Sequence, residues 1–176
     1  MNIHARLKKK QGFTLIELLV VISIIGLLAS VVLVAVNKTR MKARNARRVA
    51  DIRNIVNALE LYYNDNGYYP ISPGGSWAWY GWATCWPPEA SGPDWISGLS
   101  PKYIAKMPRD PESTENCSDP QYLYASFDGK NYKLLAHVGG NHSADCQYVV
   151  ALYPSLRDPA RDCWAYGFYT PGAKDW

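Results

Sequence analysis

The chain has 176 residues, 48% of them hydrophobic, four cysteines and a formal net charge of +4. That length suits one modest domain plus an extension and excludes two full domains. The charge is segregated into a basic leader before Gly12, a basic stretch over residues 38–53 and a mildly acidic remainder, which excludes a uniformly basic nucleic-acid binder.

Residues 1–12, MNIHARLKKKQG, are short, polar and basic through Arg6, Lys8, Lys9 and Lys10. Residues 13–36 follow, apolar from Phe13 to Val36 except for a few small hydroxyls, with Glu17 as the one charge. A helix of this length reaches roughly 36 Å, enough to span a bilayer core of about 30 Å. An ordinary cleaved signal peptide has a shorter apolar region closed by a small-residue cleavage site, and no such site precedes Lys38 and Arg40. A plain transmembrane anchor explains the length but not Glu17. A carboxylate inside such a helix costs about 2.5–3.5 kcal/mol near the bilayer centre and is usually paired or functional. Two readings of Glu17 stay open on residue chemistry: a functional pairing, or a terminal glutamate that reaches the interface. Seven Lys or Arg residues follow the span within residues 38–53, against four before it. Applied alone, the positive-inside rule favours the leader outside.

Residues 37–66 turn amphipathic. Val49, Ile52, Ile55, Val56, Leu59, Tyr62 and Tyr63 recur at helical spacing and form one stripe. Lys38, Arg40, Arg44, Arg47, Arg48 and Arg53 are placed mostly outside it, as a solvated face or as partners for acidic heads of neighbouring chains. No proline occurs between Phe13 and Tyr69, so the pattern predicts one helix over about 14–66, some 80 Å long at the standard rise. Gly26 is a weak point within it. Gly67, followed by Pro70, supplies the stop.

Residues 67–176 form the head. Within 71–101 stand Trp77, Trp79, Tyr80, Trp82, Trp86 and Trp95, broken by glycines and prolines into a loop. These rings either pack over the rest of the head or present an aromatic surface for glycans, bases or another surface; packing is favoured because the head is otherwise small. Asp128-Gly129 lies between two alternating stretches and predicts a hairpin over about 121–138. Its inward set is Tyr122, Tyr124 and Ser126 against Tyr132, Leu134 and Ala136. Residues 163–170 supply a candidate third strand. Cys85, Cys117, Cys146 and Cys163 read as two disulfides in an exported head, with three connectivities open and neighbour pairing as the expectation. A zinc site is disfavoured because no C-x-x-C occurs. His4, His137 and His142 form no recognisable constellation, and no phosphate-binding loop or nucleophile elbow is present. The chain is therefore read as no enzyme. Asn141-His142-Ser143 has the form of a glycosylation sequon.

Residues 8–17, KKKQGFTLIE, resemble the type III signal of type IV prepilins and pseudopilins: a basic leader ending in Gly, then Phe, then Glu four residues on. YYNDNGYYP (62–70) and YIAKMPRDP (103–111) resemble the helix exit and a head segment of the same family. The resemblance covers residues 5–138 and weakens afterwards. It implies cleavage after Gly12 by a prepilin peptidase, N-methylation of Phe13, and neutralisation of a neighbour's terminal amine by Glu17. It implies an α+β fold, the pilin-like roll, with the long helix packed on a small antiparallel sheet. The partners implied are copies of the chain in a filament, the assembly platform and its ATPase, and the membrane before assembly. The precursor is then a single-pass inner-membrane protein with its head outside, and the assembled filament is extracellular. A type IV pilus subunit is the first reading. A pseudopilin of a type II secretion or DNA-uptake system, and a minor tip subunit binding nucleic acid or glycan through the aromatic loop, are the alternatives. No cofactor is expected. Some secretion pseudopilins bind calcium near the third quoted segment, and Asp110, Glu112, Asp119 and Asp128 are candidate oxygen ligands here, without EF-hand spacing.

Overall fold

A computed structural model describes residues 12–72, 79–81, 92–114, 116, 120–139, 143–160 and 163–176. Helix α1 runs over Leu15–Asn66, uninterrupted because no proline breaks its hydrogen-bond ladder. It ends where Gly67 takes φ +77° and donates its N–H to the Tyr63 carbonyl at 2.8 Å, a left-handed stop that only glycine adopts at little cost. The chain divides into two compact units after Arg40.

In the second unit, strands β1 (Tyr80–Gly81), β2 (Gln121–Ala125), β3 (Lys133–His137) and β4 (Ala165–Tyr169) form an antiparallel sheet in the order β1-β2-β3-β4. This α+β arrangement is the fold class expected. The β2–β3 connection is longer than a two-residue hairpin turn. Asp128 Oδ1 accepts hydrogen bonds from the N–H groups of Lys130 and Asn131, and Gly129 sits at φ +67°. The Gly129 carbonyl accepts the Tyr69 N–H at 2.7 Å, which ties the turn to the helix exit.

Between β3 and β4 the chain forms helix α2 (Ser143–Leu152) and a 3-10 turn at Pro154–Leu156. A second 3-10 turn, Pro171–Ala173, follows β4. Cys146 on α2 is disulfide-bonded to Cys163. Cys85 and Cys117 lie outside the described residues.

One core joins α1 to the sheet. Val49, Ile52, Ile55, Ala58 and Leu59 share a buried cluster with Tyr122, Tyr124, Tyr132, Leu134, Ala136 and Tyr166. The expected inward set is thus buried, Ser126 included. One expectation is corrected: Tyr63 lies at the rim, exposed, against the ring of Tyr69. On the opposite side of the strands Gln121, Ala125, Lys133, Leu135 and Ala165 are buried too. There Lys133 holds the chain end by donating to the carbonyls of Lys174 and Trp176. On β4 the residue opposite Leu135 is Gly167. A Cβ there would collide with the Leu134 carbonyl oxygen and come within 2.8 Å of the Leu135 Cα, so the strands approach closely only because that position is glycine.

Candidate functional site

Gly12 and Phe13 precede α1, and the Phe13 side chain is 88% exposed. Every large apolar side chain described from Phe13 to Val36 is exposed. A stretch this apolar and this uncovered needs an apolar environment supplied from outside the chain, a bilayer or other helices. By length and composition α1 is able to cross a membrane. Its hydroxyls add little polarity, because Ser23, Ser30 and Thr39 donate back to the carbonyls of Leu19, Leu27 and Ala35.

The first turn contains a feature that sequence reading did not separate from the charge of Glu17. Glu17 Oε2 accepts hydrogen bonds from the Thr14 N–H at 2.8 Å and the Thr14 hydroxyl at 2.7 Å, while the Thr14 hydroxyl accepts the Glu17 N–H at 3.3 Å. This reciprocal arrangement is a capping box, which satisfies backbone donors left over at a helix start. The T-x-x-E spacing in residues 14–17 was the available signal.

The second unit holds a buried ionic node on the basic stretch of α1. Arg48, expected on the solvated face, is buried on the core face, four residues before Ile52. Its Nε and Nη2 grip both oxygens of Asp110 at 2.7 and 3.0 Å. Nη2 also donates to Glu112 at 2.9 Å, and Nη1 donates to Asp145 at 2.7 Å and Asn45 at 3.2 Å. Five N–H donors meet five acceptors, the full capacity of a guanidinium. Burial alone would depress the ionisation of Arg48, but the hydrogen bonds and charge of Asp110 outweigh it and raise the pKa above the ordinary value. Arg44 pairs with Glu112 and Asp145 at the rim, and Arg47 pairs with Asp51. Burial raises the Asp51 pKa, although its carboxylate accepts the Tyr122 hydroxyl at 2.8 Å.

These contacts test the calcium expectation. Both oxygens of Asp110 face Arg48, Glu112 faces Arg48 and Arg44, and Asp128 is engaged by the Asn131 side chain and turn N–H groups. Among the described residues no three acidic, His or Cys side chains are placed to hold a metal. The described carboxylates do not fit a calcium ion; Asp119 lies outside the described residues.

Of the aromatic run, Trp95 is buried and donates its indole N–H to the Pro108 carbonyl at 3.1 Å. Trp79 is half-buried and Tyr80 contributes backbone to β1. Trp77, Trp82 and Trp86 lie outside the described residues, as do His4 and His142. His137 ends β3.

Residues 7–33 match the family model described as the prokaryotic N-terminal methylation motif. The chain is similar to the type II secretion system core protein G of Vibrio cholerae serotype O1, at 33% identity over 67% of this chain and 73% of that protein. It is 38% identical to the same-named protein of Aeromonas hydrophila over 59% of this chain and 68% of the relative. The Pectobacterium carotovorum protein of that name is 35% identical over 61% and 65%. The chain thus spans about two thirds to three quarters of these relatives' lengths. No solved structure matches.

Proposed function

The chain belongs to the type IV pilin and pseudopilin family, and on that premise we propose that it is a pseudopilin, a filament-building subunit of a type II secretion system. The observation that carries the filament-building part of this reading is the exposed apolar segment Phe13–Val36 with a single carboxylate in its first turn. Such a segment is stable in a bilayer before assembly and against like segments afterwards. The names of the relatives support secretion over the surface pilus expected first. Burial of Trp95 weakens the reading of the aromatic loop as a binding surface.

In this reading a peptidase cleaves after Gly12 and the Phe13 amine is methylated. Glu17 then offsets the charge of a neighbour's amine in the filament core, where two unpaired charges would each be costly. Orientation with the leader inside agrees with a peptidase acting from the cytoplasm. The seven bases beyond the span carry little weight against it, because they lead into the large unit Met41–Trp176, and long domains translocate largely regardless of charge.

The test is a strain lacking this chain, with the intact strain beside it. Secreted proteins retained in the cell, and restored by the full chain, are expected. The mature subunit should begin at a methylated Phe13 by mass spectrometry. Unchanged secretion together with loss of abundant sheared surface filaments would assign the chain to a surface pilus instead.

A further inference from the structure

We propose that the Arg48 guanidinium is the head's own structural cation, standing where a divalent ion would otherwise bind the carboxylates together, so that the head folds and holds without calcium. Two separate pieces of chain supply those carboxylates, Asp110 and Glu112 ahead of the sheet's β2 strand and Asp145 in the first turn of α2, and Arg48 reaches them from a third, α1. Left to themselves, three carboxylates brought this close repel one another, and they stay ionised together only with a cation among them. A calcium ion would do this with six to eight oxygens at about 2.3–2.6 Å. Here a planar fork does it with five hydrogen bonds between 2.7 and 3.2 Å.

The geometry leaves an incoming ion no vacant ligand set at Asp110, since both of its oxygens are committed to the fork and Oδ1 also accepts the Glu112 N–H at 2.9 Å. Arg44 adds a second positive charge at the rim, 3.1 Å from Glu112 and 3.5 Å from Asp145. Two covalently attached guanidinium charges therefore face three carboxylates. Unlike a bound ion, they cannot dissociate when free calcium falls. The inference is independent of whether the filament serves secretion or a surface pilus.

The experiment uses the full chain in detergent micelles, melted by circular dichroism in EDTA and again in millimolar calcium. The expected result is one melting temperature in both, with Arg48→Met lower by roughly 10 °C. Arg48→Lys should fall between them, because an ammonium keeps the charge but cannot grip Asp110 in bidentate fashion. A calcium-dependent rise in the melting temperature of the unsubstituted chain would overturn the proposal. If Arg48→Met fails to fold, the comparison of EDTA and calcium on the unsubstituted chain still decides.

Discussion

The Glu17 carboxylate and Thr14 hold each other across the first turn of α1, hydroxyl to carboxylate at 2.7 Å and amide to carboxylate at 2.8 Å. One side chain thus has a structural task within its own helix and a proposed electrostatic task toward a neighbour. The two are separable by chemistry. Glutamine also serves in a capping box but carries no charge. Glu17→Gln should keep the helix start and membrane insertion yet lose most secretion, as should Glu17→Ala. Thr14→Ala removes a cap worth about 1 kcal/mol and should leave secretion nearly intact. Normal secretion from Glu17→Gln would leave capping as the sole role.

A second prediction concerns β3. Lys133 Nζ lies 2.8 Å from Asp158, with both side chains excluded from solvent, and also donates to the carbonyls of Lys174 and Trp176. Removing one member of such a pair leaves a buried charge without compensation, at a cost of about 3–5 kcal/mol. Lys133→Met should lower stability by that amount in denaturant melts. Lys133→Met combined with Asp158→Asn should recover much of the loss. Equal loss in the single and double variants would show that the ammonium's grip on the chain end, rather than Asp158, sets the cost.

The sequence made α1 legible because its apolar period, its lack of proline and Gly67 all point to one helix. It hid Arg48 because a charge is ordinarily placed on the wet face, and only its spacing from Ile52 marks it as inward. Lys133 was hidden for the related reason that alternation predicts one solvated sheet face, whereas chain from beyond α2 covers it. α2 itself was missed. A helix of ten residues is marginal in isolation, and this one is held by the Cys146–Cys163 bond and the pairing of Asp145 with Arg48. β1 rests wholly on tertiary contact, with Gly81 placed beside Leu123.

A third prediction concerns alkaline pH. Tyr69 donates to Glu60 at 3.1 Å, and burial together with the Glu60 charge pushes its phenol up to about 12. Burial and Glu60 raise Tyr132 as well. A raised phenol pKa means that folding favours the neutral ring. Its contribution is complete below the unfolded value near 10 and is lost as pH climbs from there toward 12. Melting temperatures should therefore fall over that window. Tyr69→Phe should fall less steeply, and identical slopes would exclude Tyr69 as a source.

The disulfide gives the last prediction. Cys146 and Cys163 are 17 residues apart, and a cross-link closing a loop of that size removes unfolded-state freedom worth about 3 kcal/mol. It fastens α2 to the chain entering β4. Cys163 also holds φ at +54°, a conformation seldom taken by non-glycine residues. Replacing both cysteines by serine removes the cross-link but not this backbone geometry. The paired variant should melt lower by roughly 10 °C. Because α2 carries Asp145, loosening it also takes one carboxylate from the Arg48 node. Hydrogen exchange should then quicken first in α2 and only later in the core face of α1, where Ile52, Ile55 and Leu59 keep their packing. Simultaneous loss of protection in both would mean that the bond supports the whole head rather than the one helix it anchors.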